Sequence, residues 1–269
     1  TNTIVLKAVA DENGDGKIDV AYFPNQQLHM RQDLLNRTVW QARTRINNRV
    51  YAELPISLET KQGLKLDELT ADLVKNNSSI EGLMIEIGDE FLCGVQDKTW
   101  DGACSQKMKQ VFQIKERSKE KAKYYTNISN NYQTALKMTL KDKHLDGLKL
   151  LLDSCLVQGD FLYLELDPVR YPKVFKAMQK QLEQLNLKQK QHLIVSFTVD
   201  PNVSKSEWKE YQYDYQVLKR LAVQKIGLNN YQLNEGKRFQ ENLYQSISSN
   251  DSPLTYRNPF EGNIAKEMK

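Results

Sequence analysis

Carboxylates close the short apolar runs of this chain, and their placement is the first chemical signal in it. One run ends in Glu53-Leu54-Pro55, the next in Glu86-Ile87-Gly88-Asp89-Glu90, and a later one carries Tyr163, Glu165 and Asp167 at every second position. Two further runs end in 196–200 and in Asn229, Asn230 and Tyr231. Paired carboxyls can divide acid and base roles, amides and further carboxylates bind hydroxyls, and aromatic faces stack on sugar rings. Acidity of this kind also draws cationic ligands. Glu86, Asp89 and Glu165 are therefore the catalytic candidates. Glu53, Glu90, Tyr163, Asp167, Asn229, Asn230 and Tyr231 are candidates for binding. Each has an alternative as a helix cap or a loop tie. Asp33 suits a helix start, and Asp89 or Glu90 could open the helix that follows them.

Other chemistries find less support. Asp11, Asn13, Asp15 and Asp19 with Gly16 match the opening of a calcium-binding EF-hand loop. The twelfth place, which calls for Glu, holds Tyr22, and the segment before the loop reads as strand. A tight polar turn is the expectation, with Asp11 and Asp15 as binding candidates beside it. Cys93 and Cys104 flank a turn-rich stretch, and either a disulfide or two free thiols fits them. No second Cys or His pair stands at zinc-binding spacing. Cys155, in an apolar stretch, reads as a core residue. The histidines are isolated, and neither a dinucleotide-binding nor a Walker sequence occurs. No metal and no cofactor is expected.

Seven bursts, at 4–9, 50–56, 83–87, 124–128, 161–166, 193–198 and 225–228, read as buried parallel strands. Asn127, at the end of the fourth, joins the binding candidates. Segments of helical period lie between them, clearest at 33–46, 171–185 and 207–223. Strand and helix in alternation, with no phosphate loop, predict an α/β fold of the (β/α)8 TIM-barrel type. The count falls one strand short, so the barrel is expected to be incomplete, its first strand lost upstream. The barrel is assigned to 1–249 and an irregular, polar tail to 250–269. In such a barrel function sits where the strands end, which is where the carboxylates fall.

Composition sets the outer bounds. With 40% hydrophobic residues in 269, a sizeable core is available. The net charge of +4 is too small a surplus to suggest nucleic acid. No apolar run is long enough for a transmembrane segment. The chain opens directly on Thr-Asn-Thr-Ile-Val, so any signal peptide is expected to have been removed, or the chain to be an excised domain.

At the first two strand–helix units a family becomes recognisable. Ala10-Asp11-Glu12-Asn13-Gly14-Asp15-Gly16, Tyr22-Phe23-Pro24-Asn25, Met30-Arg31-Gln32-Asp33-Leu34-Leu35-Asn36-Arg37 and Trp40-Gln41-Ala42-Arg43-Thr44-Arg45 form one block, running on through Val50-Tyr51-Ala52 and Pro55. It resembles the C-terminal, glycoside-hydrolase-like domain of poly-β-1,6-N-acetyl-D-glucosamine N-deacetylases of the PgaB type. Tyr22 and Asn25 of this block are further binding candidates.

The resemblance implies a (β/α)8 barrel that binds the partly deacetylated polymer in a groove, assists its export in biofilm exopolysaccharide systems and in several members cleaves it. It also implies a periplasmic or outer-membrane location, an N-terminal deacetylase domain and an outer-membrane export protein as partners. Family members follow one strand with His-Asp-Asp, which carries a catalytic aspartate; here the stretch is Ile85-Glu86-Ile87-Gly88-Asp89-Glu90. A later family glutamate falls on Ser196. Polymer binding with reduced hydrolysis is therefore the leading expectation. An active endo-β-1,6-glycosidase and a structural barrel that recruits an export partner are the alternatives.

Overall fold

The computed structural model describes residues 3–31, 33–46, 49–56, 59–60, 64–76, 80–88, 102–125, 132–156, 161–198, 204–223, 225–229 and 254–256. The apolar runs fold as parallel strands: β1 (Thr3–Lys7), β2 (Arg49–Pro55), β3 (Gly82–Glu86), β4 (Gln133–Leu140), β5 (Phe161–Leu166), β6 (Leu193–Thr198), β7 (Lys225–Asn229) and β8 (Leu254–Tyr256). Each pairs with the next in chain order, and β8 returns to β1, so the ring closes. Helices α1 (Leu34–Ile46), α2 (Leu66–Asn76), α3 (Gly102–Tyr125), α4 (Leu148–Leu156), α5 (Pro172–Gln184), α6 (Leu187–Gln191) and α7 (Lys205–Arg220) lie between successive strands from β1 to β7. The fold is the (β/α)8 barrel that the alternation predicts.

Strand period two sorts the side chains. Outward, Leu54, Leu83, Ile85, Leu136, Met138, Leu162, Leu164, Val195 and Phe197 join the large apolar core with the helices. On α5 the buried stripe is Val174, Phe175, Met178 and Leu182, at the helical spacing read from sequence. Inward, Val5, Tyr51, Met84, Ala135, Tyr163 and Ile194 form a separate apolar cluster that floors the barrel. Above that floor the inward positions turn polar.

The three expected helices are present within a few residues of their bounds. Asp33 acts at the start of α1, its carboxylate accepting the Asn36 backbone N–H at 3.3 Å. At α7, Ser204 and Glu207 form a reciprocal capping box.

Two expectations are corrected. The fourth strand is not at 124–128: α3 runs on to Tyr125, and the strand is Gln133–Leu140. The aromatic pair Tyr124-Tyr125 ends a charged helix and mimics a β run, whereas Lys137 breaks the apolar appearance of the real strand. The eighth strand is not missing upstream either. Leu254–Tyr256, inside the stretch read as an irregular tail, pairs with β1 at three positions and with β7 at one. The shortfall of the barrel is this thin seam, and three residues are too few for a periodic signal.

Candidate active site

Inward-facing polar residues of β2, β3, β4 and β5 meet near the C-terminal ends of the strands. Their centre is Lys137, whose Nζ donates to Glu53 Oε1 at 2.8 Å and lies 3.4 Å from Glu165 Oε2 and 3.9 Å from Glu86 Oε1. Burial alone would pull the Lys137 ammonium toward neutrality, but Glu53, Glu165 and Glu86 outweigh it and its pKa is raised. Glu86, the last residue of β3, is pushed up from 4.5 to about 7 by burial first and by Glu53 next, with Lys137 acting against them. A carboxyl that keeps its proton near neutrality is what a general acid needs.

Neighbouring strands complete the set. The Thr139 and Thr198 hydroxyls lie 3.5 and 3.3 Å from Glu165 Oε1, within donating reach. Ser196, the register partner of Glu165, is fully buried beside it. Tyr163 is buried beneath, its phenol pKa raised by burial and then by the charge of Glu165. Glu53 Oε2 is buried with no hydrogen-bond partner among the described residues, while the Tyr163 phenol interacts with the Ser196 hydroxyl.

The structure thus brings Glu53, Glu86, Tyr163 and Glu165 together and adds Lys137, Thr139 and Thr198, which sequence reasoning passed over. Those three follow from the misplaced fourth strand and from weight given to carboxylates alone. The signal for β4 was available: Leu136, Met138 and Leu140 alternate with Ala135, Lys137 and Thr139.

The other candidates divide between internal bonding and residues beyond description. Asp11 accepts backbone N–H groups from Gly14, Asp15 and Gly16, and Asp15 accepts one from Lys17. Gly14 and Gly16 have φ of +78° and +81°, so the turn read from sequence depends on glycine there. Among the described residues no group of three or more His, Cys, Asp and Glu is arranged to hold a metal ion. Tyr22 is buried and donates to Glu12, and Asn25 binds the backbone of Phe23, Gln27 and Leu28. Asp167 Oδ1 accepts from Tyr211 Oη at 2.7 Å and from the Val169 and Arg170 backbone. Asn229 ends β7. Asp89, Glu90, Asn127, Asn230, Tyr231 and Cys93 lie outside the described residues. Cys104 falls within α3, and its pairing with Cys93 lies outside them too.

A separate groove of ≈ 950 Å³ runs between α2 and α3, with Lys65, Asp67, Arg117 and Glu120 among its lining. It lies on the helical exterior, and no strand residue lines it.

The profile described as "Hypothetical glycosyl hydrolase family 13" matches residues 1–86. The poly-beta-1,6-N-acetyl-D-glucosamine N-deacetylases of Escherichia coli K12 and O157:H7 are each 42% identical over 55 residues, 20% of this chain. The match spans only 8% of the length of those curated relatives. The structure of the PgaB (BpsB) glycoside hydrolase domain from Bordetella bronchiseptica superposes with a TM-score of 0.66 at 19% identity, covering 92% of this chain and 89% of that one. At that identity it speaks for the fold. The first 86 residues thus resemble that glycosyl hydrolase profile, 55 residues resemble the poly-β-1,6-N-acetyl-D-glucosamine N-deacetylases, and the fold over most of the length resembles the PgaB glycoside hydrolase domain.

Proposed function

We propose that the barrel binds and processes partly deacetylated poly-β-1,6-N-acetyl-D-glucosamine at its C-terminal mouth. The observation that carries this reading is the cluster of Glu53, Glu86 and Glu165 around one lysine where the strands end. Glu86 is its outermost carboxyl and suits both tasks. Ionised, it attracts the ammonium of a deacetylated residue; protonated, it can donate to a glycosidic oxygen.

A second reading, an active endo-β-1,6-glycosidase, is favoured by Glu86 holding its proton up to about pH 7. Glu165 is then the second carboxylate, as nucleophile or as base to a water. Against full activity stand the changed family motif around Glu86 and the Ser196 that replaces a family glutamate. Export of the polymer, a periplasmic setting, a deacetylase domain and an outer-membrane partner accompany this proposal through the resemblance alone.

Polymer length separates the two readings. The purified domain is incubated with deacetylated polymer, and the products are sized. Shortening that is lost in Glu86→Gln establishes the glycosidase. Polymer that stays intact yet is retained by the protein establishes binding without cleavage. Polymer neither cut nor retained overturns both.

A further inference from the structure

We propose that Lys137 is the positioning residue of the barrel site: its ammonium ties down Glu53 and Glu165 and so leaves Glu86 as the carboxyl that holds the exchangeable proton. This inference rests on the reading that Glu86 is the reacting carboxyl of the mouth. Three distances from one nitrogen carry it: 2.8 Å to Glu53, 3.4 Å to Glu165 and 3.9 Å to Glu86. Side-chain exposure rises in the same order, 0%, 8% and 26%. The ammonium is thus closest to the carboxylate that water reaches least, where an unpaired charge is costliest. Glu86, at the greatest distance, receives the least compensation.

Charge counting agrees with this division. Glu86 is faced by Lys7 from β1, Glu53 from β2, Lys137 from β4 and Glu165 from β5. With all five groups charged the set carries −1, and one proton on Glu86 brings it to zero. Thr139 and Thr198 place hydroxyls beside Glu165 and hold it on the Lys137 side of the site. Lys137 therefore acts through its neighbours: it engages Glu53 and Glu165 and leaves the outermost carboxyl, Glu86, at the mouth.

The test is a titration of the Glu86 carboxyl carbon by NMR in wild-type protein, Lys137→Met, Glu53→Gln and Lys137→Arg. The wild-type midpoint is expected at about 7. Removing the cation should raise it by about half a pH unit or more, and removing the neighbouring carboxylate should lower it. Lys137→Arg, which keeps the charge, should leave it near the wild-type value. A lysine that merely fills the barrel would leave the midpoint unmoved in Lys137→Met, whereas Glu53→Gln reports the direct repulsion between the two carboxylates. If Lys137→Met does not fold, Lys137→Gln removes the same charge. An unmoved or lowered midpoint in the folded neutral variant overturns the proposal. Because the readout needs no polymer, failure of the polymer to bind overturns the functional reading and leaves the titration standing. An unmoved titration with intact polymer binding overturns the role of Lys137 alone.

Discussion

Glu86 is the residue on which the chemistry turns, and its environment makes a prediction about stability as well as catalysis. Its folded-state pKa of about 7 lies above the ordinary 4.5, so the folded chain holds the proton that the unfolded chain gives up. Stability from this group is lost as pH rises from about 4.5 to 7, and above that the full cost of a buried, crowded carboxylate is felt. Glu86→Gln should therefore stabilise the protein at pH 8 by roughly 1–3 kcal/mol and change little at pH 4. Urea unfolding at the two pH values measures this; equal stability of variant and wild type at pH 8 contradicts it. At this scale the sequence was half legible. The rule that function sits at strand ends picked out Glu86 and Glu165, but nothing local shows that a lysine 84 residues from Glu53 comes to lie against it. Asp11 and Asn25 illustrate the converse. Their motif is the most recognisable in the chain, and their side chains hold turns of the loop after β1.

Among the elements, β4 shows where pattern reading fails. Its outward Leu136, Met138 and Leu140 are ordinary core residues, while its inward face carries the charge that a buried strand is expected to exclude. A functional barrel reverses that rule near its mouth, so the strand that matters most looks least like a strand. Helices were easier to read because their stripes face one core: α5 shows this with Val174, Met178 and Leu182. Beneath the polar layer, β2 and β3 meet through Gly82. A Cβ there would lie 2.2 Å from the Tyr51 ring and 2.4 Å from the Gln133 carbonyl oxygen. That contact leaves Tyr51 room to cross the barrel floor and donate to Gln133 at 2.6 Å. Gly82→Ala should cost about 2 kcal/mol or more through overpacking against ring and backbone. Thermal or urea unfolding of the variant checks it, and a variant as stable as wild type refutes the packing argument.

For the molecule as a whole, closure of the ring is the point most exposed to test. The eighth strand is Leu254–Tyr256, bound to β7 by one register pair and to β1 by three. A barrel without it presents two open edges, each a row of unpaired backbone groups. A chain ending at residue 249 should therefore unfold at lower denaturant and associate more readily than the full chain. Gel filtration and urea unfolding report both, and a truncated chain that stays monomeric with an unchanged midpoint would show that the seam contributes nothing. The fold class was legible from the alternation of strand and helix together with the lack of a phosphate loop, which sets a doubly wound sheet aside. The last strand was not, because its three residues are defined by neighbours in space rather than by their own pattern. Charge behaves the same way: the net +4 conceals an acidic set concentrated at one mouth.

We propose that this mouth receives a deacetylated amino-sugar polymer, and calorimetric titration with β-1,6-linked glucosamine oligosaccharides reads that binding out. Partly deacetylated oligosaccharides should bind with heat that is lost in Glu86→Gln, and more tightly at pH 7 than at pH 5, because the ligand amine is an ammonium at both while Glu86 ionises only as pH approaches its value of about 7. No binding at millimolar ligand, or binding that is indifferent both to Glu86→Gln and to pH, would rule this ligand out at the barrel mouth.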